Sequence, residues 1–202
     1  MKNRFRISIG LMVLALSLMT GCEKSRPSIA AASNGGDPAA LAERIRRGEY
    51  LVKTIGCNDC HTPLKMTDKG PVPDMSRMLS GHPESLKMPR PPQLGDGPWG
   101  WVGSSTMTAF YGPWGVSYAF NLTPDNATGL GIWTDDMFIK TMRLGRHMGT
   151  SRPVNPPMPW QNIGQLTDDD LAALFAYLKS IPPIRNQVPT YLEPSEVAAT
   201  LK

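Results

Sequence analysis

The sequence has 202 residues, of which 21 are basic and 17 acidic, giving a formal net charge of +4. Three of the basic residues and none of the acidic ones lie in residues 1–21, which leaves 18 basic against 17 acidic residues and a net charge of +1. The sequence has no basic stripe with interleaved aromatic residues, so no nucleic-acid partner is predicted. The length suits one domain, and 20 prolines with 19 glycines predict a loop-rich chain.

The first 21 residues have the pattern of an export signal. Basic residues precede an apolar run over residues 7–19, which is shorter than the roughly 20 residues of a transmembrane helix. The basic residues are Lys2, Arg4 and Arg6. The run closes on Leu18-Met19-Thr20-Gly21-Cys22, which resembles a bacterial lipoprotein signal and implies lipidation of Cys22. The alternatives are an ordinary cleaved signal with an incidental cysteine, or an uncleaved anchor. Residues 22–36 are predicted to form the lipidated terminus and a flexible tether.

The first predicted helix begins at Asp37-Pro38. Asp37 suits the N-cap, and proline is favoured at the first helical position. Apolar residues then recur at helical spacing as far as Ile55, and Gly56 can end the helix. The sequence therefore predicts a helix that leads directly into the residues that follow Gly56.

Those residues are Cys57-Asn58-Asp59-Cys60-His61, a C-x-x-C-H run of the kind that attaches a covalent c-type haem. Two thiols three positions apart can each add to one vinyl group of the macrocycle within a single helical turn. The histidine that follows the second thiol can supply the proximal imidazole ligand. The motif thus predicts one covalent haem c held by Cys57, Cys60 and His61.

Three other interpretations of this motif are open but weaker. A structural zinc site needs four ligands, whereas the chain has three cysteines and the third, Cys22, lies far upstream. A thioredoxin-like pair would follow a strand, whereas a helix is predicted before Cys57. A structural disulfide is possible outside the cytosol, but it gives no reason for His61.

Residues 62–120 are dominated by proline and glycine and show no sustained period, which predicts a long loop region. Within it, Gly97-Pro98-Trp99-Gly100 recurs as Gly112-Pro113-Trp114-Gly115. Nearby aromatic residues are Phe110, Tyr111, Tyr118 and Phe120. One interpretation is an apolar flap that shields a haem edge or docks a partner. We favour a glycine-rich hairpin that covers a thin core, since aromatic residues bury a large area wherever they fall.

Two further helices are predicted. The second runs from Thr134 or Asp135 to about Leu144. The third runs from Asp168 to Ser180, with Thr167 as its N-cap and Asp170 at the capping-box position. Its apolar stripe consists of Leu171, Leu174, Phe175 and Leu178, and Pro182-Pro183 stops it.

This arrangement, an N-terminal helix leading into C-x-x-C-H and a C-terminal amphipathic helix, resembles the class I cytochrome c fold over roughly residues 38–183. The resemblance implies a mostly α cytochrome c domain at residues 37–183. It would carry a long Gly/Pro/Trp-rich loop insertion at about residues 64–120. Residues 184–202 are expected to form a polar, loosely held C-terminal tail.

A series of motifs after residue 120 narrows the resemblance. They are Asn121-Leu122-Thr123-Pro124-Asp125, Thr128-Gly129-Leu130-Gly131, Trp133-Thr134, Phe138, Met142-Arg143-Leu144-Gly145, Pro157-Met158-Pro159-Trp160, Leu166-Thr167-Asp168-Asp169-Asp170-Leu171 and Tyr177-Leu178-Lys179-Ser180-Ile181-Pro182-Pro183. The pattern is similar to the haem domains of membrane-associated bacterial dehydrogenases, including the cytochrome subunits of alcohol, aldehyde and gluconate dehydrogenases. Those subunits typically carry several haem motifs, so this chain, with one, would be a monohaem relative.

Met158 is the predicted sixth iron ligand, because this family presents its distal methionine in such a loop before the last helix. The prolines around it restrict the backbone and would hold the sulfur toward the iron at little ordering cost. The alternative is that Met158 only fills core space. Lower-ranked ligands are Met148, His147 and His82, the last on a loop expected to be exposed; Met137 and Met142 are expected to pack within the second helix. Candidate donors to the haem propionates are residues 71–73, Trp133, Arg143 and Trp160.

These predictions together describe a periplasmic electron carrier rather than an enzyme. His61 and Met158 would hold a six-coordinate haem that relays single electrons between a dehydrogenase or quinol oxidiser and a terminal acceptor such as an oxidase. Lipid on Cys22 would hold the protein on the periplasmic side of a bacterial membrane. Two alternatives stay open. One is a haem enzyme or small-molecule-binding protein with a labile distal ligand, where His147 is the acid–base group to test. The other is a structural haem subunit of a membrane respiratory complex.

Overall fold

Helices and short strands make up the part of the chain that the computed structural model describes, residues 37–200. The predicted export signal, Cys22 and the tether lie outside these residues. Within them the chain forms six α-helices, two short 3-10 helices and five short strands. No helix in this described part combines the length and the apolar character needed to cross a bilayer.

Helix α1 spans Pro38–Ile55, as predicted. The Asp37 carboxylate caps it by accepting a hydrogen bond from the Ala39 N–H at 2.9 Å. Gly56 ends it with a φ of 83°, in the left-handed region that glycine adopts without steric cost. These signals act within one turn of the chain, which is why the sequence predicts both ends of the helix.

Helix α5 (Asp168–Ser180) packs across α1 at Gly48. A Cβ atom built on Gly48 would lie 1.9 Å from the carbonyl oxygen of Ala173, so only glycine allows this approach of the two backbones. At the same crossing, Nε of Arg47 lies 2.9 Å from Oδ1 of Asp170. The Asp170 carboxylate thus receives a hydrogen bond from the other helix. The first and last predicted helices are thereby joined, as the resemblance to the cytochrome c fold implies.

The remaining predicted helix, α3, spans Asp135–Leu144, with Thr134 as its N-cap. Thr167 caps α5 as predicted, since its hydroxyl accepts a hydrogen bond from the Asp170 N–H at 3.1 Å. Phe138 of α3 stacks on Phe175 of α5 with ring centroids 5.2 Å apart. Two further helices are short: α2 (Cys57–His61) and α4 (Trp160–Ile163).

The expectation of a loop without regular structure is wrong for parts of the insertion, which contains five strands. Strands β1 (Leu64–Thr67) and β2 (Gly70–Pro73) form one antiparallel hairpin. Strands β3 (Val102–Gly103), β4 (Ala109–Gly112) and β5 (Gly115–Tyr118) form an antiparallel sheet in that order. Strands of two to four residues are too short to show an alternating pattern in the sequence, so the pattern could not predict them.

The two Gly-Pro-Trp-Gly copies have different structures. The second copy is the β4–β5 turn, where Gly112 pairs with Gly115. The first copy lies outside the strands, and Trp99 within it is 80% exposed. The favoured hairpin therefore holds for one copy only.

The expectation of a loosely held tail is wrong for residues 184–200. Asn186 is fully buried, and its side chain donates two hydrogen bonds and accepts two, at 2.7–2.9 Å. Its partners are the carbonyls of Ser80 and His82, the Arg77 guanidinium and the Glu84 N–H. Leu192 then pairs with Val116 of β5 through two backbone hydrogen bonds, of 2.9 and 3.0 Å. Helix α6 (Pro194–Thr200) ends the described chain.

We expect Gly48→Ala to lower the free energy of unfolding by about 1–3 kcal/mol, because the added methyl group collides with the Ala173 backbone. At a solvent-exposed position inside a helix, the same change would raise the free energy of unfolding by about 1 kcal/mol. Denaturant unfolding followed by circular dichroism measures the effect. Gly100→Ala is the matched control, since a Cβ there meets nothing within 4 Å. A Gly48→Ala protein as stable as the control would contradict the close helix crossing.

Candidate functional site

The C-x-x-C-H residues form helix α2, which begins where Gly56 ends α1. Cys57, Cys60 and His61 all line one cavity of about 340 Å³. Both thiols are free, and the motif follows a helix rather than a strand, which does not fit the thioredoxin-like alternative. Burial raises the pKa of the Cys57 thiol to about 11 and also raises the pKa of Cys60. Both thiols are therefore neutral groups facing a common space at neutral pH.

The His61 ring is held by a hydrogen bond of 2.7 Å between its Nδ1 atom and the carbonyl oxygen of Phe120. A carbonyl oxygen can only accept, so Nδ1 carries the proton and Nε2 keeps a free lone pair. Burial lowers the pKa of His61, which keeps the ring neutral. A neutral imidazole whose other nitrogen is oriented by a backbone carbonyl is the arrangement that a metal-ligating histidine needs.

The cavity is of the size and character of a cofactor site, which typically measures about 300–1,000 Å³ and is mostly apolar. Its lining comes from α1, α2, α3 and α5, from the end of the insertion, and from the tail. The apolar residues of the lining include Ile55, Phe110, Leu122, Leu130, Trp133, Phe138, Met142, Ile163, Leu174 and Leu178. The lining thus suits a large apolar body with few polar substituents.

Met158 lines the same cavity as the three residues of the motif. It is half-buried, in a loop between α3 and α4 that contains Pro156, Pro157 and Pro159. Its N–H donates to the Asn155 carbonyl at 3.3 Å, and its carbonyl accepts from the Trp160 N–H at 2.9 Å. The structure therefore brings together the four residues that the sequence predicted for haem attachment and ligation.

His147, a lower-ranked candidate, also lines the cavity. Its ring lies perpendicular to Trp133 and nearly so to Phe120, with centroid distances of 4.8 and 5.1 Å. The buried Nε2 atom of His147 has no hydrogen-bond partner among the described residues. Burial, with a smaller effect of the Arg152 charge, lowers the pKa of His147 to about 4. The cavity therefore contains a second neutral imidazole besides His61.

His82 does not line the cavity, and the expectation that it lies on an exposed loop is wrong. Its side chain is fully buried, and both ring nitrogens are used. Nε2–H donates to the Leu86 carbonyl at 3.0 Å, so Nδ1 accepts from the Thr108 hydroxyl at 2.9 Å. Burial lowers the pKa of His82. These contacts give His82 a structural role outside the cavity that Cys57, Cys60 and His61 line.

Of the predicted propionate donors, only Trp133 lines the cavity. Arg143 instead donates to the Gly164 carbonyl and to the Asp168 carboxylate, which ties α3 to the start of α5. The Trp160 indole packs on Gly145, where a Cβ would approach the ring to 2.3 Å. The other predicted residues that do not line the cavity are residues 71–73, Met137 and Met148.

Sequence reasoning missed three contributors to the site. The Phe120 carbonyl, which orients His61, lies 59 residues further along the chain and has no sequence signal. Arg152 brings a guanidinium group to the cavity, and residues 187–191 of the tail form part of its wall. Each of these contacts depends on long-range folding, so no local pattern could indicate them.

The donor set fits a covalent haem. Two thiols and a neutral imidazole lie on one helical turn beside an apolar cavity, and a thioether sulfur lines the same space. Within residues 37–200, no three side chains of His, Cys, Asp or Glu come together in the way a bound metal ion alone would require. Cys57 and Cys60 would attach the haem, and His61 would ligate its iron.

A helical frame with a C-x-x-C-H turn beside an apolar cavity defines a c-type haem protein. The family model for cytochrome c matches residues 45–182, and the chain belongs to the cytochrome c family, whose members carry electrons on covalently bound haem.

The relatives of this chain include several cytochrome subunits of dehydrogenases. It is 28% identical over 145 residues to the cytochrome c subunit of the quinone alcohol dehydrogenase of Gluconobacter oxydans. This match covers 71% of this chain and 23% of the relative. It is 34% identical over 134 residues to the fructose dehydrogenase cytochrome subunit of Gluconobacter japonicus, a match that covers 66% of this chain and 20% of the relative. It is 28% identical over 149 residues to the gluconate 2-dehydrogenase cytochrome c subunit of Pantoea cypripedii, a match that covers 73% of this chain and 26% of the relative. The chain thus spans about a quarter or less of the length of these relatives. These matches confirm the predicted resemblance to the cytochrome subunits of bacterial dehydrogenases.

We expect His82→Ala to lower the free energy of unfolding by about 1–3 kcal/mol while leaving the visible absorption spectrum of the haem protein unchanged. The reason is that the Thr108 hydroxyl and the Leu86 carbonyl would lose a buried partner. Thr108→Val is the matched variant, since it removes one of the same hydrogen bonds from the other side. A spectrum altered by His82→Ala but not by Thr108→Val would place His82 near the iron.

The same residue gives the wild-type protein a pH dependence. Because the pKa of His82 is lowered in the folded state, the unfolded chain binds the proton more readily. The contribution of His82 to stability is complete above the ordinary histidine pKa of 6.5 and is lost as the pH falls below it. The free energy of unfolding should therefore fall less steeply with decreasing pH for His82→Ala than for wild type. Denaturant unfolding at a series of pH values across this range measures the difference.

Proposed function

We propose that this chain is a single-haem electron carrier with His61 and Met158 as the two axial iron ligands. The observation that carries the proposal is that both side chains line the one apolar cavity on which the two thiols of the motif open. Of the competing ligand candidates, His82 and Met148 do not line that cavity, whereas His147 does.

The residues around the cavity suit this chemistry. When bound, haem c supplies an iron that gains and loses one electron. The hydrogen bond to Phe120 orients His61 so that Nε2 is the available donor. A neutral thioether such as that of Met158 favours ferrous iron and raises the reduction potential relative to two histidine ligands. The apolar lining offers few hydrogen-bonding groups to water in the same space.

We propose that the electron donor is a dehydrogenase. The proposal is supported by the relatives named above, which are cytochrome subunits of alcohol, fructose and gluconate dehydrogenases. A quinol-oxidising complex is the alternative donor, and a terminal oxidase is the proposed type of acceptor. The position of the carrier would be the periplasmic side of a bacterial membrane, where lipid on Cys22 would anchor it.

A second candidate function is favoured by His147. A buried imidazole with an unpartnered Nε2 atom in the same cavity could serve a reaction at the iron if the distal ligand were labile. The protein would then bind a small molecule or act on it, instead of only passing electrons.

We expect the oxidised haem protein to show a weak long-wavelength absorption band that Met158→Ala abolishes, because the band requires a sulfur–iron bond. Optical spectra of the oxidised and reduced protein test this. Met142→Leu is the matched control, since Met142 lines the same cavity and the substitution conserves volume.

A band that survives in Met158→Ala would contradict the proposed ligation. A high-spin wild-type spectrum that shifts on addition of cyanide or peroxide, and that His147→Ala alters, would favour the second candidate function instead.

We expect Cys22→Ser to move the protein from the membrane fraction to the soluble periplasmic fraction of a bacterial host, with an unchanged haem spectrum. Lipid chains supply the membrane affinity, at about 0.8 kcal/mol for each buried methylene group. Fractionation and the mass of the N-terminal peptide measure the result. Cys57→Ser, which alters haem attachment only, should remain with the membranes. Membrane retention of Cys22→Ser, together with a wild-type N-terminal peptide that carries no acyl mass, would instead indicate an uncleaved anchor.

A further inference from the structure

Strand β5 of the insertion makes a direct hydrogen bond to the loop that contains Met158. The hydroxyl of Ser117, a buried residue, donates to the carbonyl oxygen of Pro156 at 2.6 Å. Pro156 lies two positions before Met158, on the segment that lines the cavity. Residues 39 positions apart in the sequence are thereby joined beside the candidate distal ligand.

The direction of the Ser117 hydroxyl is set by its neighbours. Nε1–H of Trp114 donates to the Ser117 oxygen at 3.2 Å, which leaves the hydroxyl proton for a carbonyl. The Phe110 carbonyl, 3.5 Å away, is the weaker of the two acceptors in reach. Ser117 therefore connects the Trp114 indole to the Met158 loop.

The tail holds this connection in place from the other side. The Tyr191 hydroxyl donates to the Trp114 carbonyl, and two backbone hydrogen bonds join Leu192 to Val116, the residue directly before Ser117. Gly115 packs on the Leu192 carbonyl so closely that a Cβ there would approach it to 2.1 Å. The β4–β5 turn and the start of β5 thus contact the tail through Trp114 and Val116, and contact the Met158 loop through Ser117.

The Met158 loop has few hydrogen-bond donors of its own. Pro156, Pro157 and Pro159 have no N–H group, so only the Met158 N–H lies within this stretch of four residues. That N–H is used by the Asn155 carbonyl at 3.3 Å. Ser117 supplies the hydrogen bond that the loop cannot make for itself.

We infer that Ser117 is a positioning residue, which holds the Met158 loop so that the sulfur stays directed at the iron. The inference rests on the proposed ligation by His61 and Met158. It assigns a role to the second Gly-Pro-Trp-Gly copy, since Trp114 of that copy orients Ser117. A loop that loses this support would release the sulfur more often, and a competing ligand would bind the iron more tightly in proportion to that released fraction.

The test is titration of the oxidised full-length haem protein with imidazole, together with the long-wavelength absorption band. We expect Ser117→Ala to raise the apparent imidazole affinity by about threefold to tenfold, the effect of one hydrogen bond. Ser117→Thr, which keeps a hydroxyl, should remain near wild type. Trp114→Phe should shift the affinity in the same direction by a smaller factor, and it serves as the second variant if Ser117→Ala does not fold.

Ser104→Ala is the matched control, since Ser104 is a half-buried serine that caps the turn before β4 and whose side-chain hydrogen bonds join it to residues 106, 108 and 109. It should lower stability without altering imidazole affinity. An intact band with equal imidazole affinity in wild type and Ser117→Ala would overturn this inference alone. A band that survives Met158→Ala would overturn the proposed ligation, and the role of Ser117 with it.

Discussion

The carbonyl oxygen of Phe120 accepts the hydrogen bond of the His61 ring, and the site depends on this contact. It fixes which nitrogen of His61 carries the proton and how the ring is turned. Two backbone hydrogen bonds form beside this contact. The Gly81 N–H donates to the His61 carbonyl at 2.8 Å, and the His82 N–H donates to the Ala119 carbonyl at 2.9 Å. Residues 81 and 82 of the insertion are therefore joined both to His61, which would ligate the iron, and to Ala119 near the end of the insertion.

Because of these contacts, the insertion is part of the site and does not merely extend from it. Its last strand, β5, pairs with the tail and contacts the loop of Met158, while the segment after it passes His61. The proximal side of the proposed haem site and its distal loop are thus supported from one short sheet. The residues that contact His61 and the Met158 loop are thus close together in the chain, on β5 and the segment directly after it.

The motif that begins at Asn121 is explained by buried hydrogen bonds. Asn121 is fully buried, and its amide donates to the Ile184 carbonyl at 2.8 Å while its oxygen accepts from the Thr123 N–H at 3.0 Å. The Thr128 hydroxyl in turn accepts from the Asn186 N–H at 3.0 Å. A buried polar network of this kind stabilises the fold only when its members are satisfied, since each unpaired member would be costly. The polar residues of the motif therefore fasten the tail to the domain, while Leu122 of the same motif lines the cavity.

Helices α1, α3 and α5 were predictable because their signals are local: Asp37, Thr134 and Thr167 accept hydrogen bonds from N–H groups two or three residues away. The attachment motif is local for the same reason, since two thiols and an imidazole share one helical turn. The short strands, the burial of His82 and the order of residues 184–200 were not predictable. Their partners lie far along the chain, as with Asn186, which bonds residues more than 100 positions away. The sequence by itself thus determined helices α1, α3 and α5, the candidate haem residues and the family resemblance. Only the tertiary structure decided which histidine is structural, what orients His61 and what supports Met158, because buried hydrogen bonds between distant residues exist only once the chain has folded.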